Sequence, residues 1–588
     1  MTLTGGEVVA EYLIAEGMPH VCGIPGHGDM ALFDAFKDRS DRISVLKPRH
    51  EQSAVHIADA YYRAGGEPLA TMTSIGPGSV NTAVGLGTAY VDSIPVVAFT
   101  GGAQTYMYGR GVLQELERQH DSDFSNVMRP LVKRSFVAER PDMVPSVVQR
   151  AFNHALSGRP GPVHIELPMD VQAETTDVAI PDPAAHRPAG RVKADPDQID
   201  RAAELLLAAK RPVILAGGGC VHAEAAAELR ALAEQLVAPV VVTMTAKGVF
   251  PEDHPLSAEH TGANGTSCGN ALTRDADVLL AVGTRFAEQT CSSYVDGESF
   301  SVPPTRIVHL DIDANEIGKN YPTEVGAVCD AKTGLTDLLD AVLDRGGNGR
   351  IERPEYAAEI QTRKQDWRDE IKSRWREGRL SMSRVLHEIR GAAPRETISI
   401  ASAGHPQIQT FQEFLSYEPR TNLSPGGFST MGYTLPAAIG AKLAQPERPV
   451  IGLAGDGDLL MTVQELTLAA ELGSPIVIAC LNSAGWTSIR DFQRGMFGED
   501  RAFSVDFTDA DGERSAVDFV QVAKAMGCEG ERVERAEEVA PAVTRGLASG
   551  GPYVVDFALS SEPADSEGLN AGHWDLPKPA YLDSVRSD

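Results

Sequence analysis

Short runs of β-branched and aliphatic residues recur along the chain, each closing in small or polar residues and each followed by a stretch with helical spacing. The runs PVVAFTG, PVILAGGG, ADVLLAVGTR, RIVHLDID, PVIGLAGDG and SPIVIACLN are the clearest. Continuous apolar strands that alternate with amphipathic segments predict βαβ units, hence parallel sheets covered by helices on both faces. In such sheets ligands gather at the carboxyl ends of strands. The opening MTLTGGEVVAEYLIAEG carries acids inside its apolar pattern and lacks a basic start, which predicts a first helix rather than a signal peptide. Two stretches break the rhythm. Residues 174–196 are rich in proline, and residues 345–356 lead into the charged IQTRKQDWRDEIKSRWREGRL. Each reads as a linker across an outer surface. The expected division is residues 1–175, 190–345 and 375–565, with a tail at 566–588, and the fold class is α/β with three doubly wound parallel-sheet domains.

A length of 588 residues is too great for one core and agrees with several domains. The formal charge of −28 argues against nucleic acid and anionic membrane surfaces as partners, since a negative surface repels phosphates. The seven cysteines, Cys22, Cys220, Cys268, Cys291, Cys329, Cys480 and Cys528, form no CxxC pair, so neither a disulfide framework nor a zinc site is expected. No uninterrupted apolar run approaches the roughly 20 residues that span a bilayer. The expectation is a cytoplasmic protein that acts on a small molecule.

The stretch 449–486, PVIGLAGDGDLLMTVQELTLAAELGSPIVIACLNSAGW, carries the most specific chemistry. A strand, a turn at Gly455-Asp456-Gly457, a helix and a second strand ending at Asn482-Ser483 place glycine backbone and a helix start where a diphosphate can approach. Asp456 offers a hard oxygen to Mg²⁺, and the second strand end brings further oxygens beside it. A different turn, VCGIPGHGDM, puts His27 between Gly26 and Gly28, just after Pro25 at the end of an apolar run.

GDG followed at this distance by an asparagine-bearing strand end resembles the fingerprint of the thiamin diphosphate (ThDP) enzymes. The likeness covers nearly the whole chain and is closest to the acetolactate synthase branch. It runs through LKPRHEQSAVHIADAYYRAGG, TSIGPGSVNTAVGLGTAYVDSIPVVAFTG, VLQEL, HLDIDANEIGKN and SPGGFSTMGYTLPAAIGAKLA. The resemblance implies pyrimidine-binding, central and diphosphate-binding domains, with ThDP and Mg²⁺ as cofactors. It gives Glu51 the carboxyl that bonds the cofactor's pyrimidine nitrogen and so promotes deprotonation of the thiazolium carbon. Met431 becomes the bulky side chain that bends the cofactor. The backbones of Ser429 and Met431 hold its pyrimidine edge, and Pro25, Gly26, Gly76 and Asn81 line the same end. His405, Gln407, Gly455, Gly457, Asp458 and Trp486 fall on the diphosphate side. Where the family has paired asparagines this chain has Asn482-Ser483, so the metal ligands are expected to be Asp456, the Ser483 hydroxyl and the Gly485 backbone. Ile489 and Phe492 occupy positions that select the acceptor substrate.

The branch commonly carries glycine at position 27. Ring-opening 1,2-dione hydrolases resemble this chain in having Gly-His-Gly there, and His27, with Gln114 as neighbour, is cast as a hydrogen-bond donor or a guide for water. The expected function is therefore acetolactate synthase-like, a transferase or lyase working at the carbon–carbon bond beside a carbonyl of a 2-oxo acid. The alternatives are a ThDP-dependent hydrolase or lyase of a cyclic 1,2-dione, and a ThDP-binding partner or sensor without catalysis. By resemblance the active site lies between the first piece of one chain and the third of another, implying a homodimer or homotetramer. FAD occurs in part of the branch, and GGG and GTRF alone do not decide it. The tail NAGHWDLPKPAYLDSVRSD either closes over the site or packs on the surface.

Overall fold

The computed structural model describes residues 1–116, 124–346, 351–560 and 568–580. Three six-stranded sheets organise it, and every strand pair within them is parallel. The first runs in the order Ser44–Leu46, His20–Ile24, Leu69–Thr73, Val96–Gly102, Val163–Pro168, Arg134–Val137. The second runs Ser257–His260, Val240–Val242, Pro212–Ala216, Val278–Val282, Arg306–Asp311, Val325–Val328. The third runs Asn422–Leu423, Ile398–Ala401, Val450–Gly455, Val477–Asn482, Tyr553–Ala558, Glu529–Val533. All six apolar runs quoted above are strands of these sheets. Their side chains are buried on both faces, which is why they lack alternation.

The opening helix spans Gly5–Ala15 and starts where sequence logic places it. Thr4 Oγ1 accepts from the Glu7 N–H at 3.1 Å, while Glu7 Oε2 accepts from the Thr4 N–H at 2.9 Å. That reciprocal cap satisfies two otherwise orphaned donors.

Parts of both breaks are ordered, whereas residues 178–195 run mostly exposed without strand or α-helix, as a linker does, and residues 347–350 lie outside the described residues. Thr175–Asp177 pairs antiparallel with Thr2–Thr4, so the first residues of the chain are tied to the end of its first sheet region. Pro354–Ser373 is a helix whose Tyr356, Ile360, Trp367 and Ile371 are buried in the core of the second sheet. Their spacing is helical, but the many charges between them disguise it.

The first and third sheets share one core. Helix Glu51–Gly65 lies along helix Thr434–Ala444 so closely that a Cβ on Gly440 would stand 2.2 Å from the Ile57 carbonyl oxygen. Across the same seam the Tyr433 hydroxyl donates to Asp59 Oδ1 at 2.7 Å, and Arg63 bonds both Asp59, at 2.6 Å, and Asp92, at 3.1 Å. The second and third sheet regions join through buried Lys247, which pairs with Glu252 at 2.6 Å and donates to the Phe411 carbonyl at 3.0 Å.

Alanine normally stabilises a helix interior relative to glycine. Gly440→Ala should do the reverse, costing about 1–3 kcal/mol by overpacking, read as a lowered denaturation midpoint.

Candidate active site

Strand Val450–Gly455 hands over directly to helix Asp456–Thr462, and strand Val477–Asn482 ends beside it in parallel register, Gly455 opposite Leu481. The junction puts Asp456 at a helix start, where the unpaired N–H groups favour negative charge. Its Oδ1 accepts from the Gly457 N–H and its Oδ2 from the Gly485 N–H, each at 3.0 Å. Burial nonetheless pushes the carboxyl up to about 6, against the lowering effect of those backbone bonds. A nearby cation favours the charged form and opposes that shift.

One residue further on, Asn482 turns away. Its amide donates to the Val517 carbonyl at 3.0 Å and to Asp556 at 2.9 Å, so its side chain serves the scaffold. Ser483 faces the cavity, with its hydroxyl 3.2 Å from that of Thr487. Trp486 lies over the GDG turn, and a Cβ on Gly457 would come within 2.1 Å of its ring. Nothing larger than glycine fits while the ring stays where it is.

Helix His405–Glu413 presents His405 and Gln407 to the same space. His405 Nε2 is 3.0 Å from Asp491 Oδ2, and its Nδ1 is buried without a hydrogen-bond partner. Gln407 Nε2 donates to Ser424 Oγ at 2.7 Å and its Oε1 accepts from Ser429 Oγ at 2.8 Å, which fixes the loop that leads to Met431. Asp458 works on the far side of that loop. Its Oδ1 accepts from the Gly432 and Tyr433 N–H groups at 2.6 and 3.2 Å, joining the GDG helix to the turn after Met431.

These groups line one cavity of about 750 Å³, a size ordinary for small-molecule and cofactor sites. His405, Gln407, Ser429, Met431, Gly455, Asp456, Gly457, Asp458, Ser483, Gly485, Trp486, Ile489 and Phe492 all belong to it. The cavity continues over strand ends of the second sheet at Gly218, Gly219, Thr284, Arg285 and Asp311. Trp574, from the described part of the tail, also lines it. The ring stands edge-on to Phe492 with centroids 5.3 Å apart, and its Nε1 donates to Glu288 at 3.2 Å. This part of the tail therefore closes the cavity rim rather than packing elsewhere.

The remaining expected residues form a second group at the strand ends of the first sheet. Glu51 opens helix Glu51–Gly65 and accepts from Asn81 Nδ2 at 2.9 Å. Gly76 adopts a φ of +68° and lies against the Gln114 backbone, where an added Cβ would meet the carbonyl oxygen at 2.3 Å. His27 is half-buried and Pro25 exposed, in a turn with no spare room: Cβ atoms on Gly26 and Gly28 would meet Ser74 at 2.5 Å and Ile75 at 2.7 Å. Among the described residues of one chain, none of this group lines the cavity around Asp456. One link between the two is Gln52, whose Nε2 donates to the Met431 carbonyl at 3.3 Å.

Sequence reasoning missed three contributors. Asp491 and Ser424 act on His405 and Gln407 from distant points of the chain, and no local pattern marks them. Asp29, fully buried under the His27 turn, stands in the quoted stretch, but nothing in the letters marks its burial. Among the described residues no cluster of three or more His, Cys, Asp or Glu side chains has metal-site geometry. The Asp456 carboxylate instead stands beside the Ser483 hydroxyl and the Gly485 backbone on the wall of the cavity. No helix among the described residues is long and apolar enough to cross a membrane.

Comparison with known proteins agrees with this architecture. Family models of the thiamine pyrophosphate enzymes match residues 3–122 as the N-terminal TPP binding domain, 199–338 as the central domain and 402–557 as the C-terminal TPP binding domain. The chain belongs to the thiamine pyrophosphate enzyme family. Its relatives include the probable acetolactate synthase large subunit of Methanocaldococcus jannaschii, 35% identical over 96% of this chain and 93% of that protein. Others are the acetolactate synthase of Mycobacterium bovis, 34% identical over 95% and 88%, and the acetolactate synthase large subunit of Corynebacterium glutamicum, 34% identical over 95% and 87%.

Gly457→Ala is expected to displace the Trp486 ring. Near-ultraviolet circular dichroism should report the changed tryptophan environment, with a stability loss of about 1–3 kcal/mol from overpacking.

Proposed function

We propose that the protein is a ThDP- and Mg²⁺-dependent enzyme of acetolactate synthase type, joining the two-carbon unit of a decarboxylated 2-oxo acid to an acceptor carbonyl. The observation that carries this reading is the buried Asp456 at a strand–helix junction, with the Ser483 hydroxyl and the Gly485 backbone on the adjoining strand end, all walling one cavity. The donor set suits a hard divalent cation, being oxygen throughout. Relatives bearing the acetolactate synthase name along the whole chain support the same reaction class.

When bound, ThDP supplies a thiazolium carbon that, once deprotonated, adds to carbonyl groups. The chain's own groups hold it. Asp456, Ser483 and the Gly485 carbonyl ligate the cation, the N–H groups around Gly457 take the diphosphate, and the orphaned His405 Nδ1 is free to contact it. Ser429 and Met431 hold the pyrimidine edge by their backbones. Glu51 accepts and returns a proton at the pyrimidine nitrogen. Since Glu51, His27, Gln114, Gly76 and Asn81 stand apart from the Asp456 cavity in one chain, we assign them to the site completed by a second copy, which makes the working unit at least a homodimer. Phe492 and Trp574 bound the side where the acceptor enters, next to Ile489.

A second reading, ThDP-dependent hydrolysis of a cyclic 1,2-dione, draws support from the Gly26–His27–Gly28 turn, whose close contacts fix the backbone that carries His27. Incubation with pyruvate, ThDP and Mg²⁺ separates the two. Release of CO₂ with formation of acetolactate is expected; absence of both, with carboxylic acids formed from a cyclic dione, would overturn the synthase reading. Glu51→Gln should lower turnover by about 10²–10⁴-fold while ThDP binding stays measurable by quenching of tryptophan fluorescence, and full turnover would remove Glu51 from the reaction. A flavin in the second-sheet extension of the cavity would make the purified protein yellow, and a colourless active protein would exclude FAD as a resident group.

A further inference from the structure

Glu51 opens its helix, and the chain just before it is held by a group from another sheet region. Residues 47–50 join strand Ser44–Leu46 to helix Glu51–Gly65. Outside any ladder, such a connection depends on side chains to take up its N–H groups. The Arg49 N–H donates to Glu465, 2.9 Å from Oε1 and 3.0 Å from Oε2. Glu465 ends the short helical turn Val463–Glu465, which continues directly from the GDG helix Asp456–Thr462. It is completely shielded from solvent.

A second tie lies beside the first. Arg49 Nη2 donates to Glu471 Oε2 at 2.8 Å, and Lys47 Nζ pairs with Glu471 Oε1 at 3.0 Å. All three of these side chains reach solvent, where an ion pair holds little. The buried carboxyl is the stronger hold, because a hydrogen bond to a charged group is worth more and leaving the Arg49 donor without it is costly.

From Arg49 onward each residue is fixed by the next. His50 caps the helix, its Nδ1 accepting from the Gln52 N–H at 3.1 Å and its carbonyl from the Ser53 N–H at 3.0 Å. Glu51 follows, and its Oε2 accepts from Asn81 Nδ2 at 2.9 Å. A reacting group has to stand within about 0.5 Å of its productive place, which its supporting contacts must guarantee.

We propose that Glu465 is a positioning residue for Glu51: by holding the Arg49 N–H, its buried carboxyl sets the start of helix Glu51–Gly65 and so the place of the Glu51 carboxyl, whose orientation Asn81 then fixes. The hold is given by the third sheet region of the same chain, on the turn that continues the GDG helix. The kinetic consequence rests on the proposed action of Glu51 at the pyrimidine nitrogen of ThDP; the hydrogen-bonded hold does not.

Two substitutions separate the acceptor from the space it fills. Glu465→Gln keeps a side-chain oxygen for the Arg49 N–H, and Glu465→Leu replaces it with an apolar side chain of comparable size. In the ligand-free protein, amide hydrogen exchange across residues 47–54 should be about tenfold faster in E465L and near the wild-type rate in E465Q. With ThDP and Mg²⁺ bound, deuterium exchange at the thiazolium carbon and kcat with pyruvate should both fall about 10–100-fold in E465L, with KM little changed and E465Q close to wild type. In a Glu51→Gln background E465L should add almost nothing to either loss, because one residue acts through the other. Should E465L fail to fold, Glu465→Asp, which draws the carboxyl back by one methylene, takes its place with the same expected losses. Wild-type exchange at the thiazolium carbon in E465L, equal losses in E465L and E465Q, or an undiminished E465L loss on top of E51Q would each overturn the proposal and leave Glu465 a packing residue. Faster amide exchange and slower thiazolium exchange in E465L, with no turnover of pyruvate even by the wild type, would uphold it and count instead against the synthase reading.

Discussion

The approach of helix Glu51–Gly65 to helix Thr434–Ala444 constrains most of what lies around it. With Gly440 against the Ile57 carbonyl, the first and third sheets become one body rather than two tethered ones. Helix Glu51–Gly65 carries Glu51 at its first position, and the loop before helix Thr434–Ala444 carries Ser429 and Met431. What one chain offers to two proposed sites, Glu51 to one and the Met431 loop to the other, is thus set by a single backbone contact, and the buried Asp59, Arg63, Asp92 and Tyr433 lock its register. Such a network is costly to leave half-made, which favours one relative placement of the two helices.

On the diphosphate side the order is built from short-range ties. Asp456 gathers the N–H groups of two adjacent loops, Asp458 gathers those of the turn after Met431, and Gln407 fixes the loop before it. Three side chains from one strand–helix junction and one neighbouring helix therefore define the cavity wall, the two aspartates through backbone N–H groups and Gln407 through the hydroxyls of Ser424 and Ser429. A wall made in this way needs little rearrangement to receive a ligand, and preorganisation is where binding energy is conserved.

Much of this was legible in the letters. The six apolar runs and the GDG junction follow from continuous burial and from glycines at strand ends, both local in sequence, whereas the residues from His405 to Phe492 outside that junction were reached through the likeness to the ThDP enzymes. The ordered breaks were hidden for physical reasons. The strand Thr175–Asp177 exists because of a partner at the opposite end of its region, Thr2–Thr4, and helix Pro354–Ser373 buries a narrow stripe under a mostly charged surface. The roles of Asp491 and Asp29 were out of reach, since one depends on a contact with His405 and the other on complete burial, and a carboxylate looks the same on paper wherever it lies.

The turn that carries His27 closes with a consequence for variation. Gly26 and Gly28 are held by contacts that no side chain can satisfy, and Asp29 is enclosed beneath them. Between these two glycines, position 27 has a half-buried side chain, and a substitution there does not meet the clashes that a Cβ would meet at 26 or 28. If the turn faces the substrate as proposed, a single letter at position 27 changes the group presented there, because the glycines on either side of it are already fixed by sterics.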